Sequence, residues 1–463
     1  MKDGRPSSGS PGLRPGALAA DLLVVGGGMG GMTAAAHAAQ SGARVVVLDK
    51  GPEIGGSAAM SGGFVWTASN RHDLKGEDPL ADDGLGAALV DDFPAAIAWL
   101  RSIRTELSTE ITDIYGFGRG YQADIGGYLE RCRSIVESHG GWVVAPARAE
   151  ALIVEEGRVL GARVSGRDDR AHRVLAPWTV LATGGFQGDP QLRAAHIHAN
   201  AESMLLRANR HSTGDGLRLG LAAGGTTTQD MAGFYGHLVP SPLEKFPEKD
   251  FIPLAQLYSE HCVLLNLSGA RFTDESLGDH VNTQATLCQP EARAILVADE
   301  EIRRTHVVAS YIKGMEQIDR LQFAAESGAR FAAADSLAEL AQLVGKWGIE
   351  PASFRRTVET YGKALKADLS ALEPPRARHA QPLESAPYYA LEVQPAITFT
   401  YGGLRVDSNC RVLGTGGPVP GLLAAGIDMG GVYHRGYAGG LVRGLVFGIR
   451  AARTVAGDVD GRD

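Results

Sequence analysis

The sequence predicts an α/β protein, and three observations carry that prediction. Residues 21–49, DLLVVGGGMGGMTAAAHAAQSGARVVVLD, hold an apolar run that stops at glycines, an alanine-rich stretch, and a second apolar run that ends in an acid. That order reads strand, turn, helix, strand. A further apolar run at 178–182 gives way to small residues again, Thr183-Gly184-Gly185. Third, glycine-rich segments resume from about Pro387 after a long stretch of different character, which reads as a separate lobe.

Within the first unit Gly26, Gly28 and Gly31 fit G-x-G-x-x-G. The first glycine permits the tight turn, the second lets backbone approach a pyrophosphate, and the third lets the helix pack on its strand. The phosphates would sit on the helix N-terminus, where unpaired N–H groups and the dipole favour an anion. Asp49 lies where an acid accepts hydrogen bonds from an adenosine ribose. Residues 50–66, KGPEIGGSAAMSGGFVW, carry two glycine pairs among small residues, as expected where backbone lies against a flat ring or a diphosphate. Lys50, Gly56, Ser57, Ser61, Gly62 and Gly63 are the candidate contacts there. The motif defines a dinucleotide site but does not by itself choose FAD over NAD.

With 61 glycines in 463 residues, the chain exceeds the roughly 7% average usage, which suits close backbone approach to a ligand. A net charge of -8 provides no basic field, so nucleic acid and anionic membrane surfaces are not expected partners. Cys132, Cys262, Cys288 and Cys410 are too scattered for a zinc or iron–sulfur motif and too few for a disulfide framework, so no metal is expected and the compartment is read as reducing. No apolar run approaches the ~20 residues that span a bilayer. Residues 1–20, rich in Gly, Pro, Ser and Arg without an apolar signal core, read as a disordered leader on a cytoplasmic protein.

Further along, residues 92–107 have helical apolar spacing, and 114–121, IYGFGRGY, fit either a ligand-cavity lining or a cover over the core. Residues 142–163 read as a pair of strands around a Glu155-Glu156-Gly157 turn. The strand at 178–182 delivers Thr183, Gly184 and Gly185, a second nucleotide-approach signature. Residues 212–225 read as a helix capped by Asp215 and ended by a glycine pair. From 230 to about 365 a proline-rich loop precedes strands and amphipathic helices such as 336–345; residues 437–440, Tyr-Ala-Gly-Gly, then open a final helix over 441–454.

Together these residues carry a family resemblance. A G-x-G-x-x-G unit ending in an acid, an Ala-Thr-Gly-Gly strand end midway, and the run Pro420-Gly421-Leu422-Leu423-Ala424-Ala425-Gly426-Ile427-Asp428 before a glycine-led helix resemble the flavoproteins grouped with fumarate reductase and succinate dehydrogenase. That group includes the 3-ketosteroid Δ1-dehydrogenases and the tricarballylate dehydrogenases. The resemblance covers nearly the whole chain from Asp21, and it implies FAD as cofactor. The implied fold is a doubly wound, Rossmann-like FAD domain from two chain segments, 21–229 and 371–463, with an α+β capping domain at 230–370 and the substrate pocket at their junction. It further implies that Asp215 contacts the cofactor, that Asp428 bonds the ribityl or diphosphate region, and that Gly440, Leu441 and Val442 bring a helix N-terminus to the flavin pyrimidine edge. There the dipole would stabilise negative charge on the reduced ring. Ser57 lacks the neighbouring His that links FAD covalently in respiratory members, so the FAD is expected to be non-covalent.

The departures from the family pattern bear on chemistry. Fumarate reductases carry a proton-delivering Arg four residues past R-F-x-N-E; here Arg271-Phe272-Thr273-Asp274-Glu275 leads to Asp279 and His280. Ketosteroid dehydrogenases keep a Tyr base at that position. Tyr437 stands where fumarate reductases keep a carboxylate-clamping Arg, as the ketosteroid enzymes have it. Phe399 and Tyr258 replace a substrate His and a proton-relay Arg, and His237 alone keeps a fumarate-reductase-like substrate position. Losing those cations removes bidentate carboxylate recognition, although Arg435 is placed to bind one acidic group. Arg271 reads as structural.

The resemblance therefore implies an FAD-dependent enzyme that introduces or reduces a C=C bond beside a ketone in an alicyclic or steroid-like substrate. Tyr437 and the Gly440 N–H would polarise the carbonyl, Asp279 or His280 would remove the α proton, and the β hydride would pass to flavin N5. The electron acceptor stays open. One alternative is a carboxylate oxidoreductase like the fumarate and tricarballylate members; another is an electron-transfer subunit.

Overall fold

The computed structural model describes residues 17–166, 171–243, 250, 252–308 and 317–459. The described chain packs as two units. One takes the described residues of Met1–Asp189, Ala208–Met231 and Phe399–Asp463; the other takes those of Pro190–Arg207 and Ala232–Thr398.

The first unit is built on a six-stranded sheet in the order Arg411–Gly414, Gly417–Ala424, Trp178–Leu181, Leu22–Val25, Val45–Leu48, Trp142–Val144. Every pairing is parallel except the hairpin of the first two strands. Leu22–Val25, Val45–Leu48 and Trp178–Leu181 are buried along their whole length. Strands covered on both faces need continuous rather than alternating apolar runs, which is why these short segments stand out in the sequence. The helix Met29–Gln40 follows the first strand, its alanines letting it lie close to the sheet. It packs against the C-terminal helix Leu441–Val459.

The Glu155-Glu156-Gly157 turn joins Arg148–Glu155 to Arg158–Ser165 as an antiparallel hairpin, with Glu156 at φ 50° and Gly157 at φ 77°. These strands continue through Ala171–Leu175 to Ala17–Ala19 in a four-stranded sheet. The last pairing corrects the expected leader. Ala17–Ala19 run parallel to Arg173, Val174 and Leu175 as a sheet strand, whereas residues 1–16 lie outside the described residues. Residues 114–121 become a hairpin, Ile111–Ile114 with Gly118–Gln122, laid on Phe64–Ala68.

The second unit centres on the long strand Tyr388–Thr400, which pairs with Leu205–Leu206, Phe234–Pro240, Ala294–Asp299 and Phe331–Ala334. Its core gathers Val263, Leu264 and Leu265 with Ile295 and Val297, and the apolar faces of Leu337–Gly345 and Pro351–Ala367. Ser336 caps the former by accepting from the Glu339 N–H at 3.1 Å. Part of the proline-rich loop, 244–249 and 251, lies outside the described residues.

Candidate active site

The three motif glycines divide the labour the sequence suggests. A side chain at Gly31 would stand 1.8 Å from the Gly26 carbonyl oxygen, so this glycine lets helix meet turn. Gly26 itself sits at φ +108° against Ala182. Gly28 differs from both. A Cβ there would meet only the Gly55 carbonyl oxygen, at 3.8 Å, and would otherwise enter open space at the N-cap of the helix. Backbone shaped to leave room beside a helix N-terminus is what a diphosphate requires, so these residues fit the FAD pyrophosphate.

Asp49 follows its strand and is held by backbone, accepting from the Gly27 and Gly51 N–H groups at 2.7 Å each. Each oxygen retains a lone pair for a ribose hydroxyl. In the neighbouring loop the Ser57 hydroxyl accepts from the Asn209 N–H at 3.1 Å, and Ser61 donates to the Ala58 carbonyl at 2.7 Å. Gly56 and Gly63 take positive φ, while Gly62 closes the loop through its carbonyl, which accepts from Gln122 at 3.2 Å.

One assignment changes. Asp215 is the first residue of the helix Asp215–Ala222, not its cap; Gly214, at φ 81°, takes the cap position. The Asp215 carboxylate instead accepts from Lys50 Nζ at 2.9 Å and lies 3.3 Å from Arg148 Nε. Burial works to raise its pKa, but Lys50 and Arg148 outweigh burial and hold it below the usual carboxylate range. Asp428 is buried and turned toward its own chain, accepting from the Thr183 N–H, from Thr183 Oγ1 at 3.0 Å and from the Gly185 N–H at 3.0 Å. Burial pushes its carboxyl up against the pull of those donors. It thus ties the Thr183-Gly184-Gly185 turn to the C-terminal segment, a scaffolding contact the sequence did not reveal.

Tyr437 lies where the glycine-led helix begins. Its hydroxyl oxygen accepts from the Gly440 N–H at 3.2 Å, so that N–H is directed at Tyr437 rather than standing as a separate donor to a ligand. A donor bonded to a phenol oxygen makes the phenol a better donor in turn. Gly439 is at φ +100°, and a side chain there would stand 2.0 Å from the Trp66 carbonyl oxygen. Leu441 and Val442 are buried. Around Tyr437 the chain assembles aromatic rings: Trp66 at 5.4 Å and Tyr433 at 6.0 Å, neither singled out in the sequence, and Phe399 at 6.2 Å between centroids. Tyr115 and Phe117, from the 114–121 segment, lie 5.4 and 5.9 Å from Trp66. The buried Asp78 carboxylate fixes the loop before Tyr437, accepting from the His434 N–H at 2.6 Å and the Arg435 N–H at 3.3 Å.

In the second unit Asp279 opens the helix Asp279–Leu287 behind Gly278. Its Oδ2 is hydrogen-bonded to His237 Nδ1, and its Oδ1 accepts from the Leu238 N–H at 3.4 Å. The side chain bonded to this carboxylate is His237, on the strand Phe234–Pro240. Both partners are buried. Burial pushes the Asp279 carboxyl up to about 7, although His280, the Leu238 N–H and Arg207 work against it. Burial likewise drives the His237 imidazole well below its usual range, helped by Arg207 and His280. Tyr235 packs edge-on to His237 at 4.9 Å. The Tyr258 hydroxyl donates to Gln256 at 2.7 Å. Arg271 pairs with the buried Glu275, Nη2 to Oε2 at 2.6 Å, and Glu275 also meets Arg376 at 3.4 Å.

The parallel sheet with its glycine cradle at a helix N-terminus, together with the relatives of this chain, identifies an FAD-dependent oxidoreductase acting on CH–CH groups. The chain belongs to the family described as "FAD binding domain", which matches residues 21–441. It is 26% identical over 453 residues to the "Fumarate reductase (cytochrome)" of Shewanella frigidimarina, covering 91% of this chain and 74% of that one. It is 28% identical over 554 residues to the "4-oxocyclohexanecarboxylate 2-dehydrogenase" of Sinomonas cyclohexanicum, covering 96% and 94%. Among solved structures, the 3-ketosteroid Δ1-dehydrogenase from Sterolibacterium denitrificans shares its fold at a TM-score of 0.73 and 19% identity, covering 95% of this chain and all of that one. Among the described residues, no helix is long and apolar enough to cross a membrane.

Proposed function

We propose that the protein desaturates a ring ketone of an alicyclic or steroid-like substrate, with enone reduction as the reverse of the same step. The observation that carries this reading is the buried Asp279–His237 pair. A carboxyl held at about 7 can accept a proton at neutral pH, which an Arg in its place could not. Tyr437 takes the carbonyl oxygen as hydrogen-bond donor, its own oxygen supported by the Gly440 N–H. The α proton passes to the Asp279–His237 pair while negative charge gathers on the carbonyl oxygen, and the C=C bond forms as the β carbon gives up hydride. FAD, when bound, supplies the acceptor for that hydride. The relative from Sinomonas, named as a dehydrogenase of an oxocyclohexane, supports a cyclic ketone.

The relative from Shewanella supports a second reading, a carboxylate reductase. Anaerobic bleaching of the flavin separates the two: cyclic ketones are expected to reduce it, whereas succinate-like dicarboxylates are not. Bleaching by the dicarboxylates alone would reverse the assignment. Tyr437→Phe is expected to slow ketone-driven reduction by roughly 2.7 to 4 kcal/mol of barrier, the usual cost of one lost oxyanion donor, with FAD content intact. Unchanged rates would remove Tyr437 from the reaction. The FAD itself is expected to be released intact by acid precipitation; flavin left in the pellet would mean a covalent link.

A further inference from the structure

The C-terminal helix opens with the run Leu441-Val442-Arg443-Gly444-Leu445, and Arg443 is its anomaly. The side chain is fully buried. Its guanidinium lies 5.7 Å from the centre of the Tyr433 ring and 6.0 Å from that of Phe399. Nη2 donates to the Met429 carbonyl, while Nε and Nη1 make no hydrogen bond. A buried cation with two unbonded N–H groups is costly, and a methionine would fill the space without that cost. The position therefore favours charge over packing.

The surroundings indicate what the charge acts on. Tyr433 and Phe399, the two rings against the guanidinium, are both neighbours of Tyr437, and Tyr401 lies 5.6 Å from Tyr433. The ionisable groups interacting with this cluster are Tyr401, Tyr433, Tyr437, Asp78 and Asp428; on the loop, His434 pairs with Asp230 at 2.7 Å and Arg435 bonds Asp78 through its backbone. Burial lowers the guanidinium only to about 10, so it stays charged at neutral pH. It also opposes the upward push that burial exerts on the Tyr401 and Tyr433 hydroxyls.

We propose that Arg443 is a positioning residue whose buried charge, acting across the Tyr433 and Phe399 rings, stabilises the negative charge that develops on the ligand oxygen bound by Tyr437. Being sealed by protein, it acts through the field and through Tyr437, without touching the substrate. The proposal rests on the ketone reading above. A unit charge acting across two ring spacings at an effective dielectric of about 20 shifts an ionisation equilibrium by about tenfold.

The test uses 4-nitrophenol as a stand-in for the enolate oxygen. It is bound to FAD-loaded enzyme and titrated by difference absorbance against ligand-free enzyme. In Arg443→Met the bound phenol is expected to ionise about one pH unit higher than in wild type, and ketone turnover to lose about tenfold in kcat with KM little changed. Arg443→Lys, which keeps the charge, should titrate close to wild type; should the Met variant not fold, Arg443→Gln takes its place in the same comparison. Equal ionisation in wild type and the neutral variant overturns the role of Arg443 and leaves the ketone reading standing. A wild-type enzyme that binds neither the phenol nor a cyclic ketone removes both.

Discussion

Replacing Asp279 by Asn is expected to cut substrate-driven flavin reduction at least ~100-fold, the lower end of what a general base contributes. The amide keeps the shape of the carboxyl and can still bond His237, but it cannot take a proton. The pH dependence follows from the direction of the shift. Burial raises Asp279 to about 7, so dehydrogenation, which needs the carboxylate, should climb through about pH 7 and level off above it. Enone reduction needs the protonated acid and should fall through the same range. Both inflections should disappear in Asp279→Asn. If His280 tunes its neighbour and is not itself the base, His280→Ala should cost less than Asp279→Asn. Asp279→Asn retaining near wild-type rates with its inflection intact would move the base to His237 or Tyr258.

The parts of this molecule that sequence reveals are those whose cause is local. Leu22–Val25, Val45–Leu48 and Trp178–Leu181 read as strands because both of their faces are covered, and the intervening glycines announce a turn whatever the rest of the chain does. The assembled contacts are different. His237 and Asp279 are 42 residues apart, and nothing in either segment names the other, so their hydrogen bond is not legible in the sequence. Trp66, Phe399, Tyr433 and Tyr437 come from three stretches of chain and become one cluster only through folding. Asp428 has a familiar sequence context, yet its bonds run to Thr183 and Gly185, some 245 residues earlier. Arg443 did carry a legible signal, a lone charge inside an apolar helical run, because such a charge must either reach solvent or have an electrostatic reason to be buried.

Gly28→Val should abolish FAD retention while leaving the fold standing. Gly31, three residues on, behaves in the opposite way. A Cβ at Gly31 would press to 1.8 Å from the Gly26 carbonyl oxygen, so even Gly31→Ala must push helix from strand and should lower Tm by many degrees, with or without cofactor. At Gly28 a Cβ would meet nothing closer than 3.8 Å, and the backbone there is extended, at φ -78° and ψ -170°, which a β-branched residue adopts without strain. The protein alone therefore gives no reason to exclude a side chain at Gly28; only a group occupying that open space does. The expected result is a colourless, folded Gly28→Val with the circular dichroism of the wild-type apoprotein, beside a Gly31→Ala that is poorly folded. A yellow Gly28→Val with normal FAD content would show that the diphosphate lies elsewhere, and loss of fold at Gly28 would mean that this glycine serves packing after all.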